Sequence, residues 1–287
     1  MSAVLKKEFT TYFKTITGYV FLGFFIMIVG FYFYFVNVMQ GSPFFNSTLA
    51  STLIMLLILI PVLTMRLFAE ETRQKTDQLL FTSPVSITEI VLGKFFAASG
   101  LLLLALLIVS ICPLILGIFG NVPVPETVGG IIGYFLMGFC FISVGMYISS
   151  LTDNQIIAAV GTFVAMFFLF MIDAIASAAP ATTTASVVFV CIIVLVLAFI
   201  VYNGTKNIIA AIITGVIGFA ITGGVYAYDA LLFDGIIVKI LSWFSIVTRY
   251  DDFAMGIFDL SNVVYYITFS SAFIYFTVNA IEKRRWR

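Results

Sequence analysis

Eight times along this chain a run of roughly 18 or more residues passes with almost no charge, a length able to span a bilayer. The runs lie at about 18–39, 49–68, 91–119, 129–149, 155–176, 185–202, 207–228 and 260–281. As a helix, each is long enough to cross a hydrocarbon core of ~30 Å. In hydrocarbon the backbone must satisfy its own hydrogen bonds, which leaves helices or a closed barrel. Unbroken runs, rather than alternating segments of ~10 residues, choose helices. Composition agrees. The chain is 62% hydrophobic and 10% charged, where a soluble domain carries about 25% charge, and its mean hydropathy is +1.17. The expected fold is all-α, a polytopic helical membrane protein. The runs at 185–202 and 207–228 also admit a re-entrant pair, which would leave six spans.

Several chemistries are excluded early. There is no histidine, and the three cysteines (Cys112, Cys140, Cys191) all sit in apolar runs without a CxxC pair. Structural zinc, other metal sites and Ser/His or Cys/His catalysis are therefore not expected. No GxxxxGK[ST] sequence is present, and "NGTKN" at 203–207 is too short and follows no strand. The chain is thus not expected to bind ATP or another cofactor itself. A nucleic-acid partner is not expected either; the medium is membrane lipid. Glu70 and Glu71 are adjacent, so on a helix they point about 100° apart and do not form a catalytic carboxylate pair. Asp173 and Asp229 lie near the outer ends of their runs and Asp153 near an inner end, without a mid-membrane basic partner. They read as interfacial residues rather than an ion relay.

Residues 2–17 place Val4, Leu5, Phe9, Tyr12, Phe13 and Ile16 against Lys6, Lys7, Glu8 and Lys14. At helical spacing this predicts a short interfacial helix with its apolar side in lipid and its lysines at the headgroups. Charge bias sets orientation. With the N-terminus inside, the inner segments hold twelve basic residues and the outer side only Lys239 and Arg249, so both termini are placed inside. The stretch 229–259 mixes five aspartates with apolar residues and predicts amphipathic helices along the outer face. Trp243 and Phe244 there are candidates for headgroup anchors or for an extracytoplasmic gate.

One polar segment stands apart, "RLFAEETRQKTDQLLFTSPVS" from Arg66 to Ser86. Glu71 with Lys75 and Arg73 with Asp77 are spaced i,i+4, and Glu70 with Arg73 i,i+3. These pairs predict a helix extending the second span into water. Pro84 ends it, and "SITE" at 86–89 fits a capping box opening the next helix, on which Lys94 is expected to snorkel. At the bend, Leu79, Leu80 and Phe81 either fold into the membrane interface or fill a groove on a soluble partner.

The segment resembles the permease subunits of type-2 ABC exporters. The resemblance is carried by Glu70, Glu71, Arg73, Thr76, Leu79, Leu80, Thr82–Ser86 and Glu89–Phe95. The C-terminal stretch "DDFAMGIFDLSNVVYYITF…VNAIEKRRW" is similar to the branch of nitrous-oxide-reductase maturation and gliding-motility permeases. The resemblance covers essentially the whole chain. It implies one transmembrane permease domain over 1–287, with 2–17 as the elbow helix, 69–90 as the cytoplasmic coupling segment and 229–259 as the extracytoplasmic amphipathic segment. ATPase-coupling residues are then Glu70, Glu71, Arg73, Thr76, Leu79, Leu80, Phe81 and Pro84. ATP and Mg would be bound by a separate cytoplasmic ATPase subunit. A second permease copy or a similar permease would complete the pathway in the plasma membrane, and an extracytoplasmic auxiliary protein is a further possible partner. Many members carry Gly-Thr-Leu-Glu where this chain has Lys75, Thr76, Asp77 and Gln78. Loss of that glycine predicts a more continuous, more charged helix.

Two rival functions stay open on sequence. One is an ion-coupled secondary carrier. The other is an ATP-driven mechanotransmitter that acts on an extracytoplasmic partner without moving a solute. Gly129 and Gly133 form a GxxxG suited to close helix packing. The substrate is not legible: peptide, lipid, glycan and drug all fit the aromatic first span.

Overall fold

In a computed structural model the described residues are 2–76, 85–180, 182–228 and 230–285. The described residues are 86% helical, with no strand among them. The elements run α1 (Ser2–Lys14), α2 (Ile16–Tyr32) with a π-helical end (Phe33–Val38), α3 (Phe45–Thr64), α4 (Ala69–Arg73), α5 (Ile87–Val109) and α6 (Ile111–Phe119). They continue with α7 (Val124–Leu151), α8 (Gln155–Ala178), α9 (Thr183–Thr205), α10 (Ile208–Tyr228), α11 (Ile236–Phe244), α12 (Val247–Ala254) and α13 (Leu260–Arg285). Among the described residues, eight helical stretches are long and apolar enough to cross a membrane. The pair at 185–228 forms two helices of 23 and 21 residues. At 1.5 Å per residue each exceeds ~30 Å, so both count as spans by length.

The chain divides into two compact units, one of residues 1–169 with 246–287 and the other of 170–245. In the first unit α7 is the centre, and its sequence explains why. Small residues recur along it, and neighbours fill the space they leave. A Cβ on Gly129 would lie 2.4 Å from the Phe253 carbonyl oxygen, and one on Gly133 2.6 Å from Phe253 Cβ. Gly138 faces Leu102 and Gly145 faces Thr64 in the same way. Lipid tails are as apolar as the side chains, so burial alone does not join spans; the dense packing that small residues permit does, and such residues mark the packing faces. The GxxxG seen in the sequence is therefore the seat of α12.

That seat changes the reading of 229–259. Instead of lying along the membrane as a whole, its second half enters the core of the first unit. Tyr250 and Phe253 of α12 are fully buried, and the Tyr250 ring meets Tyr134 edge-on at 6.2 Å. The Tyr266 hydroxyl donates to the Ile246 carbonyl at 2.7 Å, fixing the chain where it enters the unit. Polar side chains hold the same end. Asn46 Nδ2 donates to the carbonyls of Glu126 (2.7 Å) and Ala254 (2.6 Å), joining α3, α7 and α12. Asn37, turned inward by the π-helical turn, donates to Ser42 and Phe44 carbonyls and accepts from Thr48 Oγ1 at 2.6 Å.

The second unit is a helical hairpin, α9 and α10, with the end of α8 and with α11. Gly218 of α10 closes on Val194 of α9. Lys206, at φ 54°, caps α9 in the left-handed conformation, and Asn207 Oδ1 accepts from the Ile209 amide to open α10. Asp173 accepts from Ser245 Oγ at 2.7 Å, and Thr183 donates to Asp234. Asp173 therefore fastens the segment entering and the segment leaving this unit.

Candidate functional site at the base of the first unit

The polar segment is not one continuous helix. After Pro61, which lacks an amide donor, α3 runs out at Thr64 and residues 65–68 form turns before α4 begins. Ser149 of α7 satisfies the break. Its hydroxyl accepts from the amides of Phe68 (3.2 Å) and Ala69 (3.3 Å) and donates to the Met65 carbonyl at 3.2 Å. Then α4 stops at Arg73. Lys75 adopts φ 57°, with the Lys75 amide bonded to the Thr72 carbonyl and the Thr76 amide to that of Glu71. This is the Schellman pattern, in which a left-handed residue, usually glycine, ends the helix. The missing family glycine thus falls on a position that still needs positive φ. Losing it has not lengthened the helix; lysine occupies a glycine conformation.

The ion pairs also differ from the i,i+4 expectation. Glu71 turns away from Lys75 and reaches Lys94 Nζ at 2.8 Å and Lys7 Nζ at 4.0 Å. Glu8 of α1 meets the same Lys94 at 3.2 Å and Lys7 at 3.6 Å. Glu70 pairs with Arg66 at 3.8 Å rather than with Arg73. Arg73 and Asp77 cannot be compared, since Asp77 lies outside the described residues. Lys94 does not snorkel. Its side chain is 1% exposed, held between two carboxylates and 5.2 Å from the centre of the Phe68 ring. A cation so placed needs partners, because an uncompensated buried charge is expensive.

Lys94 reaches Glu8 because α1 lies directly on α5. A Cβ on Gly93 would stand 2.9 Å from Val4 Cβ, and Phe9 passes over Gly100. Part of the apolar side of α1 (Val4, Tyr12) is consequently buried against protein rather than lipid. Tyr12 lines a cavity of about 350 Å³ with Thr15, Arg66, Glu71 and Lys94. Burial pushes its phenol well above the ordinary tyrosine range, and the Glu8 carboxylate adds to the rise, so it stays neutral. Two further bonds complete the cluster. Arg66 Nη1 donates to Thr17 Oγ1 at 2.9 Å, and Arg284 Nη1 of α13 donates to Thr72 Oγ1 at 2.7 Å. The five-residue helix α4 is thereby tied to α1, the start of α2, α5, α7 and α13.

Of the coupling candidates, Glu70, Glu71, Arg73 and Thr76 are placed in or just after α4; Glu70 and Glu71 have the partners described, and Arg73 is exposed. Leu79, Leu80, Phe81 and Pro84 lie outside the described residues. Beyond them the capping box opens as read: the Glu89 amide donates to Ser86 Oγ at 3.3 Å. The gate candidates belong to the other compact unit. Trp243 and Phe244 close α11, stacked edge-on at 5.2 Å and 61% and 45% exposed. Sequence reasoning missed Glu8, Lys94, Ser149 and Arg284 as members of the cluster. A signal existed for Lys94, the one charge inside "IVLGKFFAAS", since an ionisable residue in a span demands a partner. Ser149, one of many serines in spans, gave none.

The arrangement has no reacting constellation. Among the described residues no group of three metal-ligating side chains comes together. What the cluster does is join: it ties α4, just before residues 77–84 in sequence, to four spans and the N-terminal helix. Compared with curated proteins, the chain matches none. Residues 38–223, about two thirds of the chain, match the family described as ABC-2 family transporter protein. They contain α4, residues 77–84 that follow it in sequence, the spans from α3 to α9 and most of α10. The chain is thus a multi-pass plasma-membrane protein and a transmembrane subunit without an ATPase domain of its own, and it belongs to the ABC-2 transporter family.

Proposed function

We propose that the chain is the permease of an ATP-driven exporter, with residues 69–90 as the point where a separate cytoplasmic ATPase delivers its motion. The observation that carries this is the fixing of α4. Glu71, eight residues before Leu79, is bonded to the buried Lys94 near the head of α5 and through it to Glu8 of α1. A displacement of the loop is therefore passed to the elbow helix and third span as one body, rather than lost in a flexible linker. The twelve-to-two charge bias puts this cluster inside, where an ATPase would stand. Both termini belong on that side: α1 and the end of α13 each contact α4. The partner ATPase binds ATP and Mg, and a second permease copy or a similar permease completes the path. The C-terminal stretch favours the nitrous-oxide-maturation and gliding-motility branch, in which an extracytoplasmic protein is a further partner.

The test is Leu80→Asp. A charge within the apolar Leu79–Phe81 run should abolish co-purification of the ATPase from gently solubilised membranes while the melting profile of the permease stays unchanged. Undiminished association at wild-type stoichiometry refutes the coupling role of the loop.

A further inference from the structure

A second feature lies at the same end of the first unit, beside α13, whose Arg284 is bonded to Thr72 of α4. The ends of α7 and α13 flank a groove of about 680 Å³. Its lining grades from apolar to polar. Leu151 and Phe276 give an oily wall, Ser150 and Asn279 give hydrogen-bonding groups, and Lys283 and Arg284 stand at its mouth. No carboxylate lines it among the described residues; Glu282 and Asp153, the nearest in sequence, are exposed elsewhere. Both helices end here, and each C-terminus contributes about half a negative charge. Two full cations outweigh that, so the groove is left net positive by about one charge.

The cations have donors to spare. Arg284 has five N–H donors, of which Thr72 takes one. Lys283 forms no ion pair among the described residues and is exposed. Two cations with unused donors, above an apolar wall and at the depth where spans leave the hydrocarbon, match one chemistry: a phosphate with acyl chains attached. Basic pockets between spans on the cytoplasmic side hold anionic headgroups for this reason.

We propose that the α7–α13 groove binds an anionic phospholipid, its phosphate held by Lys283, Arg284 and Asn279 and its acyl chains along Phe276 and Leu151. Because Arg284 also holds Thr72, the lipid sits one side chain away from α4 and steadies the same segment. The site does not depend on the coupling role of the loop.

The test uses the purified full chain in detergent, titrated with phosphatidylglycerol or phosphatidylcholine and read by native mass spectrometry. Phosphatidylglycerol should bind at least tenfold tighter. Lys283→Gln with Arg284→Gln should weaken it roughly 30-fold, the effect of two charges at ~1 kcal/mol each, with phosphatidylcholine unaffected. Lys239→Gln, on α11 of the other unit, should leave both affinities as they are. Lys283→Gln alone, at an exposed side chain, should cost about fivefold and serves if the double variant does not fold. Equal phosphatidylglycerol affinity in wild type and variants overturns the proposal. So does displacement of bound lipid by millimolar glycerol 3-phosphate, which would make the ligand a soluble phosphate. Loss of ATPase association with lipid affinity unchanged also overturns it, since the groove would then be a protein contact.

Discussion

Replacing Lys94 by Met tests whether the buried cluster holds α4 in place. The side chains match in length, so packing against Phe68 and α1 is largely kept and the charge alone is removed. At an effective dielectric of about 20, unit charges at 2.8 and 3.2 Å attract by roughly 5–6 kcal/mol each. Burying the ammonium costs several kcal/mol against that sum. Removing it leaves Glu8 and Glu71 facing each other with only Lys7, at 3.6 and 4.0 Å, between them. Both carboxylates keep some water, with side chains 13% and 18% exposed. The loss therefore falls at the low end of the 3–5 kcal/mol typical of a broken buried pair, about 3 kcal/mol, or some two orders of magnitude in the unfolding constant. Reversible unfolding in mixed SDS micelles would measure it. Glu71→Gln in the Lys94→Met background should restore at least ~1 kcal/mol, because one of two stranded charges is gone. If Lys94→Met lies within ~0.5 kcal/mol of wild type, or the two substitutions simply add, then the lysine reaches water and α4 is not held by it.

Lys75→Gly should stabilise the protein by about 0.5–1 kcal/mol, since the left-handed conformation at φ 57° strains a side chain and suits glycine. A small rise in melting temperature checks it, and a fall would mean that the lysine side chain has a role outweighing the strain. Gly129→Ala should cost about 1–3 kcal/mol, because the new Cβ meets the Phe253 backbone oxygen at 2.4 Å and backbone cannot step aside cheaply. Tryptic accessibility at Arg249 should rise in parallel, as α12 lifts from α7.

The spans were legible in the sequence because hydrocarbon imposes one rule on every residue in it, and a run of apolar side chains answers that rule alone. Where polar groups decide, the reading depended on partners distant in sequence. Glu71 was assigned Lys75 because four residues separate them; the structure gives it Lys94, 23 residues on, and Lys7, 64 residues back. The local rule assumes a helix that continues, and α4 is only five residues long. The break has its cause in Ser149, whose hydroxyl satisfies three backbone groups from a helix 80 residues away. Likewise the amphipathic pattern of 247–254 foretold a helix with one buried face, but not that protein rather than lipid would cover it. The glycines of α7 decide that, and sequence order does not show which helix will lie on them.

The absence at Lys75 of the glycine that the resemblance leads one to expect invites the inference that the backbone has changed there. The hydrogen bonds argue the reverse. The Lys75 and Thr76 amides still close the helix end on Thr72 and Glu71, and only a left-handed residue between them allows both bonds. The backbone is held by what surrounds α4: Lys94 on one side, Arg284 on another, Ser149 behind. With that many fixed points α4 can end on a lysine at a strained position and keep its place. The cluster at the base of the spans, more than the residue at the turn, holds the end of α4 where it is.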